Sequence, residues 1–134
     1  MAEEPNRLIY ESRVYSEQLR LLEGEVERIS MTAVELSNSL VTIEGLGHGE
    51  SLVPIGGGAL VNAKIASTDV LLPIGSGYMV AMKKEEAEAE VKKRIKSTET
   101  AIIRLRTEFE RVNAKLMEVN SKVDAANPKF KSMG

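Results

Sequence analysis

The 134-residue chain has no cysteine and no tryptophan, and only two phenylalanines and three tyrosines. Without cysteine there is no disulfide framework and no thiolate metal site, and the absence fits a reducing compartment. Aromatic side chains supply much of the area of a compact interior, so a globular core here would have to be almost wholly aliphatic. Charge of one sign is missing as well. Eighteen Lys and Arg stand against twenty Asp and Glu, for a net charge of −2, and the two signs are interspersed. A nucleic-acid binder would instead gather its Lys and Arg on one face. No apolar run approaches the ~20 residues that span a bilayer, and the N-terminus lacks the charged-then-apolar plan of a signal peptide. These absences point to a soluble, cytoplasmic protein.

Catalytic constellations are also wanting. His48, the single histidine, sits between glycines in a connector, with Glu44 and Glu50 nearby and no second imidazole. It reads as a solvated loop residue, because a metal site or general base needs convergent partners. Serines and threonines are scattered over helix surfaces with no matching base. The glycine clusters Gly56-Gly57-Gly58 and Gly75-Ser76-Gly77 lack the Lys-[Ser/Thr] of a phosphate-binding loop and do not open a helix. No enzyme, cofactor or metal is expected.

What the chain does contain is one short phrase written twice. Leu52-Val53-Pro54-Ile55-Gly56-Gly57-Gly58-Ala59-Leu60-Val61 returns as Leu71-Leu72-Pro73-Ile74-Gly75-Ser76-Gly77-Tyr78-Met79-Val80. Each copy is an apolar run, a glycine cluster and a second apolar run, the pattern of a β-hairpin whose turn needs φ > 0. Two tandem hairpins are predicted over 51–83.

Both flanks read as helix. From Tyr15 the apolar positions fall at Leu19, Leu22, Val26, Ile29, Ala33, Leu36, Leu40 and Ile43, in alternating steps of four and three. That is a heptad seam, extending back through Ser12 to Leu8. A helix over about 6–44 is expected, with Asn6 as N-cap and Gly45 as a left-handed C-cap. The heptads resume at Val91, Ile95, Thr98, Ile102, Leu105, Phe109, Val112, Leu116, Val119, Val123 and Ala126. A second helix over 84–126 follows, acidic at its start and stopped by Asn127-Pro128. The tail, 127–134, is short and basic. Two helices joined by a compact β insert run antiparallel. The fold class is therefore α+β: one domain over 1–134, a long antiparallel two-helix coiled coil with two hairpins inserted.

An isolated two-stranded hairpin is marginal in water, and these two are apolar on both faces. The sequence offers nothing else to cover them, so hairpins of other chains are expected to do so. The residues assigned to this oligomerisation are Leu52, Val53, Ile55, Leu60, Val61, Ile65, Leu71, Leu72, Ile74, Tyr78, Met79 and Val80.

Heptad helix, Leu-Val-Pro-Ile-Gly-Gly-Gly hairpin, Pro-Ile-Gly-Ser-Gly-Tyr hairpin and heptad helix together resemble a prefoldin alpha-class subunit of archaeal type, over roughly residues 6–126. The resemblance implies a hexamer of two alpha and four beta-class subunits whose hairpins pool into a double β-barrel. It implies an ATP-independent chaperone that holds unfolded proteins at its coil tips and delivers them to a group II chaperonin. A sister group with similar hairpins polymerises into filaments. The alternative reading is accordingly a scaffolding coiled coil or filament former that binds no client.

A client is held through exposed apolar surface, so some apolar residues must lie off the seam. Leu8, Ile9, Tyr10, Val14, Met117, Val123, Phe130 and Met133 are the candidates at the helix ends. Met suits the role because its thioether adapts to many shapes. The blander reading is that Leu8 and Val123, with Tyr15, Leu116 and Val119, only close the seam.

Overall fold

The computed structural model describes residues 3–126. Two long helices, α1 (Glu3–Glu44) and α2 (Lys84–Ala126), flank four strands, β1 (Gly49–Gly56), β2 (Ala59–Ile65), β3 (Val70–Gly75) and β4 (Tyr78–Met82). No helix among the described residues is long and apolar enough to cross a membrane. The chain divides into two units, one of residues 3–32 and 98–126, the other of residues 33–97. Each helix contributes to both.

In the first unit the helices run antiparallel. Ser12 Oγ donates to Asn120 Oδ1 at 2.8 Å, and Tyr15 lies within electrostatic reach of Arg111, so rising numbers on α1 meet falling numbers on α2. Leu8, Val112 and Val119 are buried, while Tyr15, Leu19, Leu22, Val26, Ile29, Ile102, Leu105, Phe109, Leu116 and Val123 are half-buried. That is what one stripe between two helices can cover. Ala126 is the exception among the predicted seam positions and is exposed. The outer faces carry local ion pairs, Arg20 with Glu17, Arg28 with Glu25 and Arg111 with Glu108, each three residues apart with the glutamate first. The arginine hydrogen bonds hold these three carboxyls below their ordinary range. They stay charged to lower pH than a free glutamate, and because water reaches both members of each pair, the pairs add little to stability at neutral pH.

The second unit carries both hairpins. In each, a register shift falls just after proline, between Pro54 and Gly56 and between Pro73 and Gly75. The two-residue loops, Gly57-Gly58 and Ser76-Gly77, have φ of 59° and 80°, and 52° and 80°. Positive φ at both central positions defines a type I′ turn, whose twist matches that of the flanking strands. Ser76 is the only non-glycine with positive φ among the described residues.

The hairpins differ in what supports them. On β3–β4, Val70 opposes Met82 and Leu72 opposes Val80, so these four side chains share one face. They pack on Ile43, Ala87 and Val91, with Leu36, Leu40 and Ile95 around them. This corrects the expectation that the chain cannot cover its own hairpins. The period of two along β3 and β4 puts Val70 and Leu72, and Val80 and Met82, on the helices. On β1–β2 no residue is buried.

Three local expectations also change. Asn6 lies inside α1, which begins at Glu3; Pro5 is accommodated because the first helical turn needs no amide donor there. Gly45 does not take a left-handed conformation. Instead the helix tightens at its end, Leu46 N donating to Ile43 O at 3.1 Å, and Lys84 Nζ donates to Leu46 O at 3.0 Å. Ala87, off the predicted seam, is fully buried, because it belongs to the cluster that Ile43 of α1 and Leu72 of β3 form with Val91.

Leu72→Ala should therefore lower the unfolding free energy by about 2–3 kcal/mol in urea titrations, as for other buried leucines. Leu71→Ala, one residue away on the open face, should change it by less than about 0.5 kcal/mol. Ser76→Asn, which makes the loop Asn-Gly, should raise stability by several tenths of a kcal/mol by relieving the left-handed serine.

Candidate functional site

Two sets of surface apolar side chains are candidates for function. The first lies on the hairpins. Leu52, Val53, Ile55, Leu60, Val61, Leu71, Ile74, Tyr78 and Met79 are all exposed, Tyr78 retaining 70% of its surface. Ile65 and Val80 are half-buried, and Leu72 keeps only 7%. Leu72 and Val80 are thus a correction to the oligomerisation set: their pairing register turns them onto the chain's own helices.

The exposed residues occupy both faces of β1–β2 and, on β3–β4, the outward face together with the loop end, where Ile74 and Tyr78 flank the turn. On β1–β2, Val53 opposes Val61, while Leu52 opposes Asn62 and Pro54 opposes Leu60 on the other face. On β3–β4, Leu71 opposes Ala81 and Pro73 opposes Met79. Each sheet has two strands only, so each also presents two open edges. Apolar faces with open edges are the combination that associates with further strands.

The second set lies at the end of the first unit. Tyr10 keeps 67% and Met117 65% of its surface. Ile9, Val14 and Val123 are half-buried, and Leu8 is buried. Leu8 is therefore a correction: it closes the seam, as the blander reading has it, and is not a surface group. Phe130 and Met133 lie outside the described residues. Beside Leu8 is a cleft of about 420 Å³ bounded by Glu4, Pro5, Leu8, Lys122, Ala125 and Ala126.

Further exposed apolar side chains were not singled out by the heptad reading: Leu21, Met31, Val34, Val41 and Ile103. Val34 and Val41 are seven residues apart on the outer side of α1. An apolar residue recurring one position after the seam would have flagged them. Among the described residues no group of three or more His, Asp or Glu is placed to hold a metal ion, and no buried side-chain N or O lacks a partner.

Two antiparallel heptad helices with a pair of type I′ hairpins between them, apolar on their outward faces, define a class of oligomer-forming coiled-coil subunits. The prefoldin family model, described as prefoldin subunit, matches residues 15–129, and the chain belongs to the prefoldin family. Its relatives include the prefoldin subunit alpha of Methanococcus aeolicus, 34% identical over 68% of this chain and 63% of that one. That of Pyrobaculum arsenaticum is 33% identical over 87% of this chain and 84% of that one. Among solved structures, the chain resembles the filamentous PFD from Methanocaldococcus jannaschii, with a TM-score of 0.71, 27% identity, and coverage of 84% and 97%. The prefoldin beta subunit from Thermococcus strain KS-1 shares the fold, with a TM-score of 0.65, 20% identity, and coverage of 92% and 91%.

Since water already reaches Ile55 and Ile74, Ile55→Asp and Ile74→Asp should each leave the chain's own unfolding free energy within about 0.5 kcal/mol of wild type. Circular dichroism during urea unfolding measures this, and a loss comparable to that of Leu72→Ala would show that these side chains are not on a free face.

Proposed function

We propose that this chain is a subunit of an ATP-independent, cytoplasmic chaperone that captures unfolded proteins and delivers them to a group II chaperonin. Its partners are beta-class prefoldin subunits, two alpha and four beta in a closed hexamer. The observation that carries the reading is the exposed apolar surface of the hairpins, which a prefoldin subunit covers by assembly. Burying roughly 25 cal/mol for each Å² of that surface supplies the driving force.

Client capture falls to the apolar groups at the helix ends. Tyr10 and Met117 are exposed there, with Ile9, Val14 and Val123 half-buried beside them. Leu8 joins them only where the helix pair parts, and Phe130 and Met133 of the tail extend the set. Each contact is weak and adaptable, so several subunits presenting such ends would hold a client through avidity rather than a deep pocket.

The likeness to a filamentous relative favours a second reading, in which the hairpins polymerise and the coils only space or tether. A contact that closes gives a hexamer, and one that propagates gives a fibre. Light-scattering mass of the chain mixed with a beta-class partner separates them: a single species of fixed mass supports the hexamer, and open-ended growth overturns it.

Capture is tested by the aggregation of a chemically unfolded protein. Tyr10→Ser with Met117→Ser should weaken suppression several-fold without altering assembly, and removal of residues 1–14 and 120–134 should abolish it. Undiminished suppression by the truncated chain would refute capture at the helix ends. Ile55→Asp and Ile74→Asp should instead shift the assembly to lower mass.

A further inference from the structure

Lys84 is the first residue of α2, where the helix dipole disfavours a cation and where Glu85 and Glu86 supply the sign it favours. At the end of α1 the position is reversed: the helix closes on Glu44, with no basic residue in its last turn. The half-buried Lys84 side chain answers both. Its Nζ donates to Leu46 O at 3.0 Å, 38 positions back along the chain. The cation that α1 lacks at its own end is thus supplied by the start of α2, across the whole β insert.

Leu46 is also the last held point before the first hairpin. Its amide donates to Ile43 O at 3.1 Å, and Gly47, His48 and Gly49 follow, the last with φ of 120°. Two glycines around one exposed residue leave the backbone wide freedom. Packing does little to set the direction of β1–β2. None of its residues is buried or belongs to the cluster around Ile43, Leu72, Ala87 and Val91. Gly49, Ala63 and Ile65, which are half-buried, all lie at the end away from the loop. The exit, residues 66–69, hydrogen-bonds only within itself among the described residues, Asp69 N donating to Ser67 Oγ at 3.1 Å. β3–β4 needs no such tie, because Val70, Leu72, Val80 and Met82 seat it on the helices. The direction of β1–β2 therefore depends on its root, and the root is held at Leu46.

We propose that Lys84 is the positioning residue of the first hairpin. Its ammonium, bonded to the Leu46 carbonyl, fixes the root of β1–β2 and so the direction in which Leu52, Ile55 and Leu60 are presented to a neighbouring subunit. A hairpin held in one direction loses less freedom on being covered than one that swings about Gly47 and Gly49, so assembly is favoured without any new contact between subunits. The consequence for assembly rests on the reading above that other subunits cover the hairpins; the positioning itself does not.

Positioning is read in the full-length chain without a partner. The chain has no cysteine, so pairs of introduced cysteines carry spin labels at chosen exposed sites. Asn62→Cys with Lys93→Cys reports β1–β2 against α2, and Ala81→Cys with Lys93→Cys reports β3–β4 against the same helix. Lys84→Met should broaden the first distance distribution and leave the second narrow, and Lys84→Arg, which keeps a charged donor, should restore the first. A first distribution that is already broad with Lys84 in place, or that Lys84→Met leaves unchanged, would overturn positioning. So would equal broadening of both pairs, which marks general loosening.

The consequence is read by light-scattering mass against concentration, with a beta-class partner. Lys84→Met should weaken assembly several-fold. The same change should cost clearly less in a Leu60→Ala chain, whose first hairpin is already impaired, and should cost its full amount in a Met79→Ala chain, because only residues acting through one another are non-additive. Equal losses in the two backgrounds would overturn action through β1–β2. A chain with Lys84 in place that assembles with no partner would overturn the assembly reading, and the spin-label distances then decide positioning on their own.

Discussion

The contact between one face of β3–β4 and the helices governs what the rest of residues 33–97 can do. Val70, Leu72, Val80 and Met82 meet Ile43, Ala87 and Val91 with little room to spare, Ala87 and Val91 being almost wholly out of water. Burial of a leucine or valine of this kind stabilises by about 1.5–3 kcal/mol. A two-stranded sheet has only one other face. Once this one is fixed to the helices, Leu71, Pro73 and Met79 are fixed outward, and a one-residue slip would exchange the two sets. The bulge after Pro73 and the type I′ loop at Ser76-Gly77 hold the register that prevents it. The outward apolar face is thus a consequence of the inward one.

The duplicated phrase hides a division of labour. β1–β2 repeats the turn, the proline and the bulge of β3–β4, but its strands keep no side chain out of water. Both faces are available to another chain, whereas β3–β4 offers one. A hairpin without its own support is marginal, so β1–β2 depends more on assembly than β3–β4 does. In a prefoldin assembly the second hairpin would act as the anchored strand pair, and the first would complete its packing on neighbouring hairpins.

Much of this was legible in the sequence for a plain physical reason. Heptads, glycine-rich turns and a repeated phrase are local patterns, and the structure places α2 over 84–126 and two hairpins where those patterns lie. The seam is equally local: from Leu8 to Val123 its positions are buried or half-buried. What periodicity could not carry was the third body at the helix ends of residues 33–97. Ala87 is off the seam and looked like a surface alanine, yet it is buried in a cluster that takes in the sheet's Leu72 as well as Ile43 of α1. Leu72 looked like an oligomerisation residue for the same reason in reverse. Gly45 invited a left-handed cap, but a tightened last turn and the Lys84 ammonium already satisfy carbonyls there.

The helix-end candidates show a different limit. Sequence spacing separates seam from non-seam, and it set Tyr10 and Met117 apart correctly as exposed side chains. It could not place Leu8, because a residue at the end of a seam is buried only when its partner helix extends far enough to cover it. Here α2 does so, reaching Ala126 beside Leu8. Beside Leu8, Pro5 of α1 and Ala125 of α2 bound a cleft that neither helix fills. Small side chains on the α2 side keep it open, whereas leucines there would have extended the seam.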